Sequence, residues 1–180
     1  ILDMVKEFRE SNTSTPVVLM GYLNTVEKMG YDVFVPAAKA VGVDGVLLVD
    51  LPPEESIEFA QNLRAQGLDA IFLITPTTTE ERIQRICAVG SGYIYYVSLK
   101  GVTGAAAIDT VEVEQKLDAV KKYTDLPLGV GFGIKDSASA ARVSKIADGV
   151  VVGSVLVNAL GENADNPQKG CDEVVATLTG

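Results

Sequence analysis

Histidine is absent from this 180-residue chain, cysteine is confined to Cys87 and Cys171, and no apolar run approaches the roughly 18 residues of a membrane-spanning helix. Each gap removes a class of chemistry. Without histidine there is no Ser-His-Asp triad and no His-ligated metal. Two isolated thiols with no partner ligand at metal spacing read as structural residues, so no metal and no cofactor is expected. Basic residues are also scarce: 15 Lys and Arg face 24 Asp and Glu, a net charge of −9. Binding to nucleic acid needs clustered cations, so an extended nucleic-acid surface is not expected. The N-terminus lacks the basic-then-apolar layout of a signal peptide, and the expected location is cytoplasmic, away from membranes. What remains is 47% hydrophobic, enough for the core of one globular domain spanning 1–180.

Short β-rich runs alternate with amphipathic stretches. The strand candidates are 16–22 (PVVLMGY), 44–52 (DGVLLVDLP), 68–76 (LDAIFLITP), 92–98 (GYIYYVS), 126–132 (LPLGVGF) and 148–154 (DGVVVGS). Their continuous apolar character predicts strands covered on both faces, as in parallel α/β sheets. Helical spacing lies between them: Phe34, Ala38 and Val41; Ile57, Ala60 and Leu63; Ile83, Ile86 and Val89; Leu117, Val120 and Tyr123; Ala140, Val143 and Ile146. Ile1, Leu2, Val5 and Phe8 share that spacing, with no initiator Met and no capping residue before them. The expectation is a chain that starts inside a helix and forms the C-terminal part of a longer protein. Six βα units fall two short of a closed (β/α)8 barrel. The competing doubly wound sheet would carry a G-x-G-x-x-G turn after its first strand, and VVLMGYLNTVEKMG has none.

In such folds the chemistry gathers where strands end and helices begin. GVGFGIKD and GVVVGSVLVNAL both put small residues at a strand end directly before a helix. If these are the last two barrel strands, Gly131, Gly133 and Gly153 let the backbone approach a phosphate and Ser154 adds a hydroxyl; otherwise they are ordinary tight turns. YIYYVSLKGVTG opens the longest strand-to-strand connection, a candidate lid. Tyr93 and Tyr95 should share one strand face and Tyr96 the other, one of them core and the other free to reach a site. Asp50 closes VLLVD as the only carboxylate at a strand C-terminus, the first candidate for an acid or base. It has no partner carboxylate and reads as structural or interface-forming. After it, Glu54 and Glu55 suit the first turn of a helix.

VLMGYLN, GVDGVLLVDLPPEES, FLITPTT, GYIYYVSLKGVTGA, GVGFGI and GVVVGS resemble, in order, the strand ends of the tryptophan synthase alpha chain family. The resemblance covers essentially all 180 residues, and SLKGVTG with GFGI is its most specific part. It implies an incomplete (β/α)8 TIM barrel made of strands three to eight, acting on indole-3-glycerol phosphate by retro-aldol cleavage to indole and glyceraldehyde 3-phosphate. By position, Gly104, Phe132, Gly133, Gly153 and Ser154 match the phosphate loops. Tyr22, Leu47, Val49, Leu73 and Tyr95 match the indole and glycerol pocket, and Lys100 to Gly104 the mobile lid. Asn24, Asp50 and Pro52 fall in loops that face the beta chain, the implied partner.

The family's general acid and base, a glutamate ending the first strand and an aspartate just after the second, have no counterpart here. The expectation is therefore a lyase by family that is silent, or nearly so, as this polypeptide alone. Open edges at PVVLMGY and DGVVVGS should promote self-association or leave the fold marginal. Two alternatives stand beside this reading: another phosphate-binding barrel isomerase or synthase, and a non-catalytic module that binds a phosphorylated ligand or a beta-type chain.

Overall fold

The computed structural model describes residues 1–97, 110–131 and 133–179. Two compact units emerge: Ile1–Leu73 with Thr79–Ile94, and Ile74–Thr78 with Tyr95–Gly180. In the first, α1 (Leu2–Ser11) leads to β1 (Val18–Gly21), α2 (Leu23–Met29), α3 (Tyr31–Ala40), β2 (Gly45–Leu48), α4 (Ile57–Ala65), β3 (Asp69–Ile74) and α5 (Glu80–Val89). The second carries most of β4 (Ile94–Val97), then α6 (Thr110–Lys121), β5 (Leu128–Gly131), α7 (Ser137–Val143), β6 (Gly149–Val151), α8 (Ser154–Glu162) and α9 (Pro167–Thr179). All six expected strands form, each shorter than its apolar run.

In the first unit β1, β2 and β3 lie side by side and parallel, with Val18 opposite Gly45 and Gly45 opposite Asp69. The second pairs β5 with β6 in parallel, Gly129 opposite Gly149 and Gly131 opposite Val151. A recurring polar latch fastens the N-terminal ends. Asp44, just before β2, accepts the Val17 N–H at 2.7 Å, and Asp148, just before β6, accepts that of Leu128 at 2.9 Å. Ser91 does the same for Ala70 at 2.9 Å. Each satisfies a backbone donor at the sheet's end, where no ladder partner remains. Arg9 extends the first latch. It pairs with Asp44 at 2.7 Å while donating to the carbonyls of Gly42 at 2.9 Å and Thr15 at 2.7 Å, so it ties α1 to the start of β2.

The apolar patterning places the core. Leu63, Ile83, Ile86 and Val46 are buried in the first unit, and Tyr96, Leu117, Val120, Leu128 and Val143 in the second. Three expectations need correction. Ile57 is 53% exposed because the inward stripe of α4 is Phe59, Ala60 and Leu63. Glu54 and Glu55 precede that helix, since the buried Ser56 hydroxyl bonds back to the Pro53 carbonyl at 2.9 Å and delays its start; Glu54 instead meets Arg85 at 3.3 Å. Finally, β2 and β5 are buried throughout, but β1 and β6 are only half covered. Among the described residues each has a strand on one side only, and a continuous apolar run did not guarantee cover on both faces.

α7 shows how locally a helix start can be written. Asp136 accepts the Ser139 N–H at 2.7 Å, and the Ser139 hydroxyl takes the Asp136 N–H at 3.2 Å, a reciprocal capping box. The Ser139 N–H, then its hydroxyl, hold the Asp136 carboxyl below its ordinary value of 3.8, with Arg142 and Lys135 adding to the effect. A carboxyl lowered by folding stabilises the fold above its unfolded pKa, and that contribution fades as pH falls through the lower folded value. Relative to an Asp136→Asn chain, the parent should therefore lose its advantage in acid titration of thermal stability only below about pH 4. An advantage that instead vanished on raising the pH would contradict this.

Candidate functional site

The C-terminal strand ends of each unit hold most of the residues marked by the sequence. In the first, Gly21 sits opposite Leu48 and Leu47 opposite Ile71. Carrying the register onward sets Tyr22, Val49 and Leu73 at one level on neighbouring strand ends. Leu47 lies two residues deeper and is 1% exposed, a floor beneath them. Tyr22 is 61% exposed as the residue capping α2. An Asp50 carboxylate oxygen accepts the N–H of Leu23, the residue before Asn24, at 2.7 Å, so the loop after β2 holds the first turn of α2. Half-buried Pro52 follows. Asp50 is thus a capping residue supplied from a neighbouring loop. An Asp50→Ala chain should show faster amide exchange in α2 at a cost of about 1 kcal/mol, and Asp50→Ser, which keeps an acceptor, should recover part of it. Equal exchange in all three chains would contradict this.

The second unit brings β5 and β6 out in register as far as Gly131 and Val151, and Gly133 and Gly153 each follow two residues later in sequence. Gly133 has φ +73°, a backbone region that side chains disfavour. Gly153 caps α8 and Ser154 is its first residue, both exposed. The N–H groups of Ser154, Val155 and Leu156 have no acceptor within the helix, so an anion here would meet free donors at the positive end of a helix dipole. Gly104, Phe132, Ser98 and the Lys100 to Gly104 lid lie outside the described residues.

Gly131 has a different use from the one expected. A Cβ there would come within 2.6 Å of Tyr95 Cε2 and 2.8 Å of its Cζ, and closer still to the hydroxyl. The space above this glycine is therefore filled by the Tyr95 ring, and its bareness seats a tyrosine instead of clearing a path for phosphate. The tyrosine faces divide as the alternation requires: Tyr96 is core, while Tyr93 and Tyr95 are half-buried on the other face. Burial, reinforced by Glu112, raises the Tyr96 pKa, and burial alone raises those of Tyr93 and of the Cys87 thiol. These groups stay protonated and neutral at pH 7, which leaves Cys87 a poor nucleophile.

Sequence reasoning missed a hydroxyl cluster after β3. Thr75 contacts Thr77 at 3.0 Å and Thr78 at 3.1 Å through their Oγ1 atoms, and Lys116 donates to the Thr78 carbonyl at 2.5 Å. The signal was the run TPTTT, but the lysine arrives from 38 residues away. Among the described residues no group of three His, Cys, Asp or Glu could hold a metal ion, and no helix is long and apolar enough to cross a membrane.

The family described as "Tryptophan synthase alpha chain" matches residues 1–179. The tryptophan synthase alpha chain of Thioalkalivibrio sulfidiphilus is 61% identical over 170 residues, covering 94% of this chain and 64% of that relative. That of Janthinobacterium sp. is 56% identical over 168 residues, 93% of this chain and 63% of the relative. The crystal structure of the alpha chain from Legionella pneumophila aligns with TM-score 0.84 and 43% identity over 98% of this chain and 65% of its own. A Pyrococcus furiosus structure, described as the structural basis of mutual activation of the tryptophan synthase a2b2 complex, aligns at 0.89 with 37% identity over 99% and 72%. The chain thus spans just under two thirds of the curated relatives named, and its βα units have the fold of their barrels.

Proposed function

Because the chain belongs to the tryptophan synthase alpha chain family, we propose that it carries the phosphate-holding part of a site for indole-3-glycerol phosphate in tryptophan biosynthesis. Its six strands are then the third to eighth of a (β/α)8 barrel. The observation that carries this reading is the register of β5 and β6, with a positive-φ glycine, Gly133, following the one and the N-terminus of α8 following the other. Backbone donors of Gly133, Gly153 and Ser154, with Gly104 and Phe132, hold the ester dianion. Neutral amides and a helix dipole suffice for this, so the net negative charge of the chain is no obstacle.

Tyr22, Leu47, Val49, Leu73 and Tyr95 wall the indole and glycerol portion. Retro-aldol cleavage breaks the C3–C3′ bond, places a proton on indole C3 and removes one from the C3′ hydroxyl, leaving indole and glyceraldehyde 3-phosphate. No residue of this chain is assigned either proton, and the reaction needs no cofactor. The polypeptide by itself should hold substrate without turning it over. Asn24, Asp50 and Pro52 face a beta chain, as the a2b2 complex of the Pyrococcus relative suggests, and the working location is the cytoplasm.

Calorimetric titration with indole-3-glycerol phosphate tests the reading. Saturable binding that inorganic phosphate competes away, without indole release, is the expected result. Binding of indole alone with equal affinity would show that phosphate contributes nothing and would overturn it.

A further inference from the structure

The loop between β2 and α4, residues 49–56, is fastened at both ends. At its start Val49 donates to the Gly21 carbonyl at 2.9 Å and the Asp50 carboxylate accepts from Leu23 at 2.7 Å. At its close the buried Ser56 hydroxyl bonds the Pro53 carbonyl at 2.9 Å, and the Glu55 N–H donates to the Pro52 carbonyl at 3.0 Å. Leu51 and Pro53 are buried as well. The side chain of Glu54 takes part in neither anchor and is held from outside the loop. Arg85, in the middle of α5, donates through Nη1 to Glu54 Oε1 at 3.3 Å and through Nη2 to Glu81 Oε1 at 2.5 Å. Glu81 stands one helical turn before Arg85, so the guanidinium is steadied on its own helix while it reaches a loop 31 residues away in sequence. Among the described residues no other cation pairs with a carboxylate of this loop.

We infer that Arg85 is a positioning residue for the partner-facing loop, setting Glu54 and its neighbours for a beta chain without touching that chain itself. The inference rests on the reading that Asn24, Asp50 and Pro52 face this partner. Exposure separates a positioning role from a stabilising one. The Arg85 and Glu54 side chains are 51% and 38% exposed, so solvent screens the pair and the fold gains little from it. Orientation needs less: Glu54 follows two prolines whose φ is fixed, and few backbone torsions are left for the pair to settle. The planar fork of arginine suits this task, because it serves two carboxylates at once where a lysine offers a single point charge. A loop already set in its bound shape loses less freedom on association, which favours binding without any new contact.

A double-mutant cycle of Arg85→Gln and Glu54→Gln in the full chain tests this, read by amide exchange in the loop and by affinity for the tryptophan synthase beta chain of the same source organism. Arg85→Gln should melt within about 3 °C of the parent. It should nevertheless exchange the Glu55 and Ser56 amides faster, and bind the beta chain more weakly, each by about two- to fivefold. Arg85→Lys should recover part of both effects, and high salt should erase the difference between Arg85→Gln and the parent. In the Glu54→Gln background, Arg85→Gln should move neither readout further. If it still weakens binding there, Arg85 touches the partner directly and the inference is overturned. Loop exchange unaltered by Arg85→Gln would overturn it too. A parent chain that does not bind the beta chain removes the partner reading and the inference with it, whereas a parent that binds no better than Arg85→Gln removes the inference alone.

Discussion

A Gly131→Ala chain should melt roughly 3 to 8 °C below the parent, the effect of about 1–3 kcal/mol of overpacking on a chain of this size. The added methyl carbon would enter the Tyr95 ring, 2.6 Å from Cε2 and 2.8 Å from Cζ, distances well inside van der Waals contact. Neither partner can yield easily. Gly131 is fixed by its register to Val151, and Tyr95 makes a further interaction of its own. The ring must therefore leave its seat or the strand must bend. If the contact is the cause, removing the ring removes the penalty: Gly131→Ala with Tyr95→Ala should melt close to Tyr95→Ala alone, a coupling of about 1–3 kcal/mol between the two positions. Differential scanning calorimetry of the four chains reads it. A Gly131→Ala transition within about 1 °C of the parent, or additive effects in the double variant, would show that the glycine is there for another reason.

Gly153→Asp should separate stability from binding. A Cβ at this position meets nothing within 4 Å, and the residue caps α8 with no side-chain acceptor of its own. Aspartate is among the best residues at such a position, because its carboxylate bonds the first free N–H groups and favours the helix dipole. The variant should be at least as stable as the parent. Those N–H groups are, however, the donors assigned to the phosphate, and a carboxylate among them both occupies the donors and repels the dianion. Affinity for glycerol 3-phosphate should fall about a hundredfold, some 2.7 kcal/mol. Gly153→Ala, which adds bulk in open space and no charge, should bind nearly as the parent does. Undiminished affinity in Gly153→Asp would place the phosphate elsewhere.

The strands were legible because each is an apolar run bounded by glycine, proline or aspartate, and the Asp-Gly pairs at 44–45 and 148–149 mark the latches that begin two of them. Burial was legible at β2 and β5, which are buried throughout. It failed at β1 and β6, since composition reports what a strand could bury and not whether anything lies over it. The Ile57 error has a similar origin: three residues at helical spacing fitted a stripe, but Phe59 offered a better one a short rotation away. Arg9, Lys116 and the Tyr95–Gly131 contact were invisible because their partners are distant in sequence, 33 and 38 residues for the two basic side chains. Gly131 is instructive. The glycine itself signalled a close approach, but the approaching group came from the neighbouring fold and not from a ligand. Of the marked site residues, Tyr22, Val49 and Leu73 share a level because strand register carries position from one βα unit to the next.

The most direct test is a heteronuclear NMR titration of the chain with glycerol 3-phosphate, repeated at high ionic strength. The backbone amides of Gly133, Gly153, Ser154 and Val155 should shift together and saturate with one dissociation constant, and a Lys135→Ala chain should give nearly the same curve. If those amides stay still while the ligand binds, or if binding disappears with Lys135, the anion is held by something other than the peptide groups beyond β5 and β6.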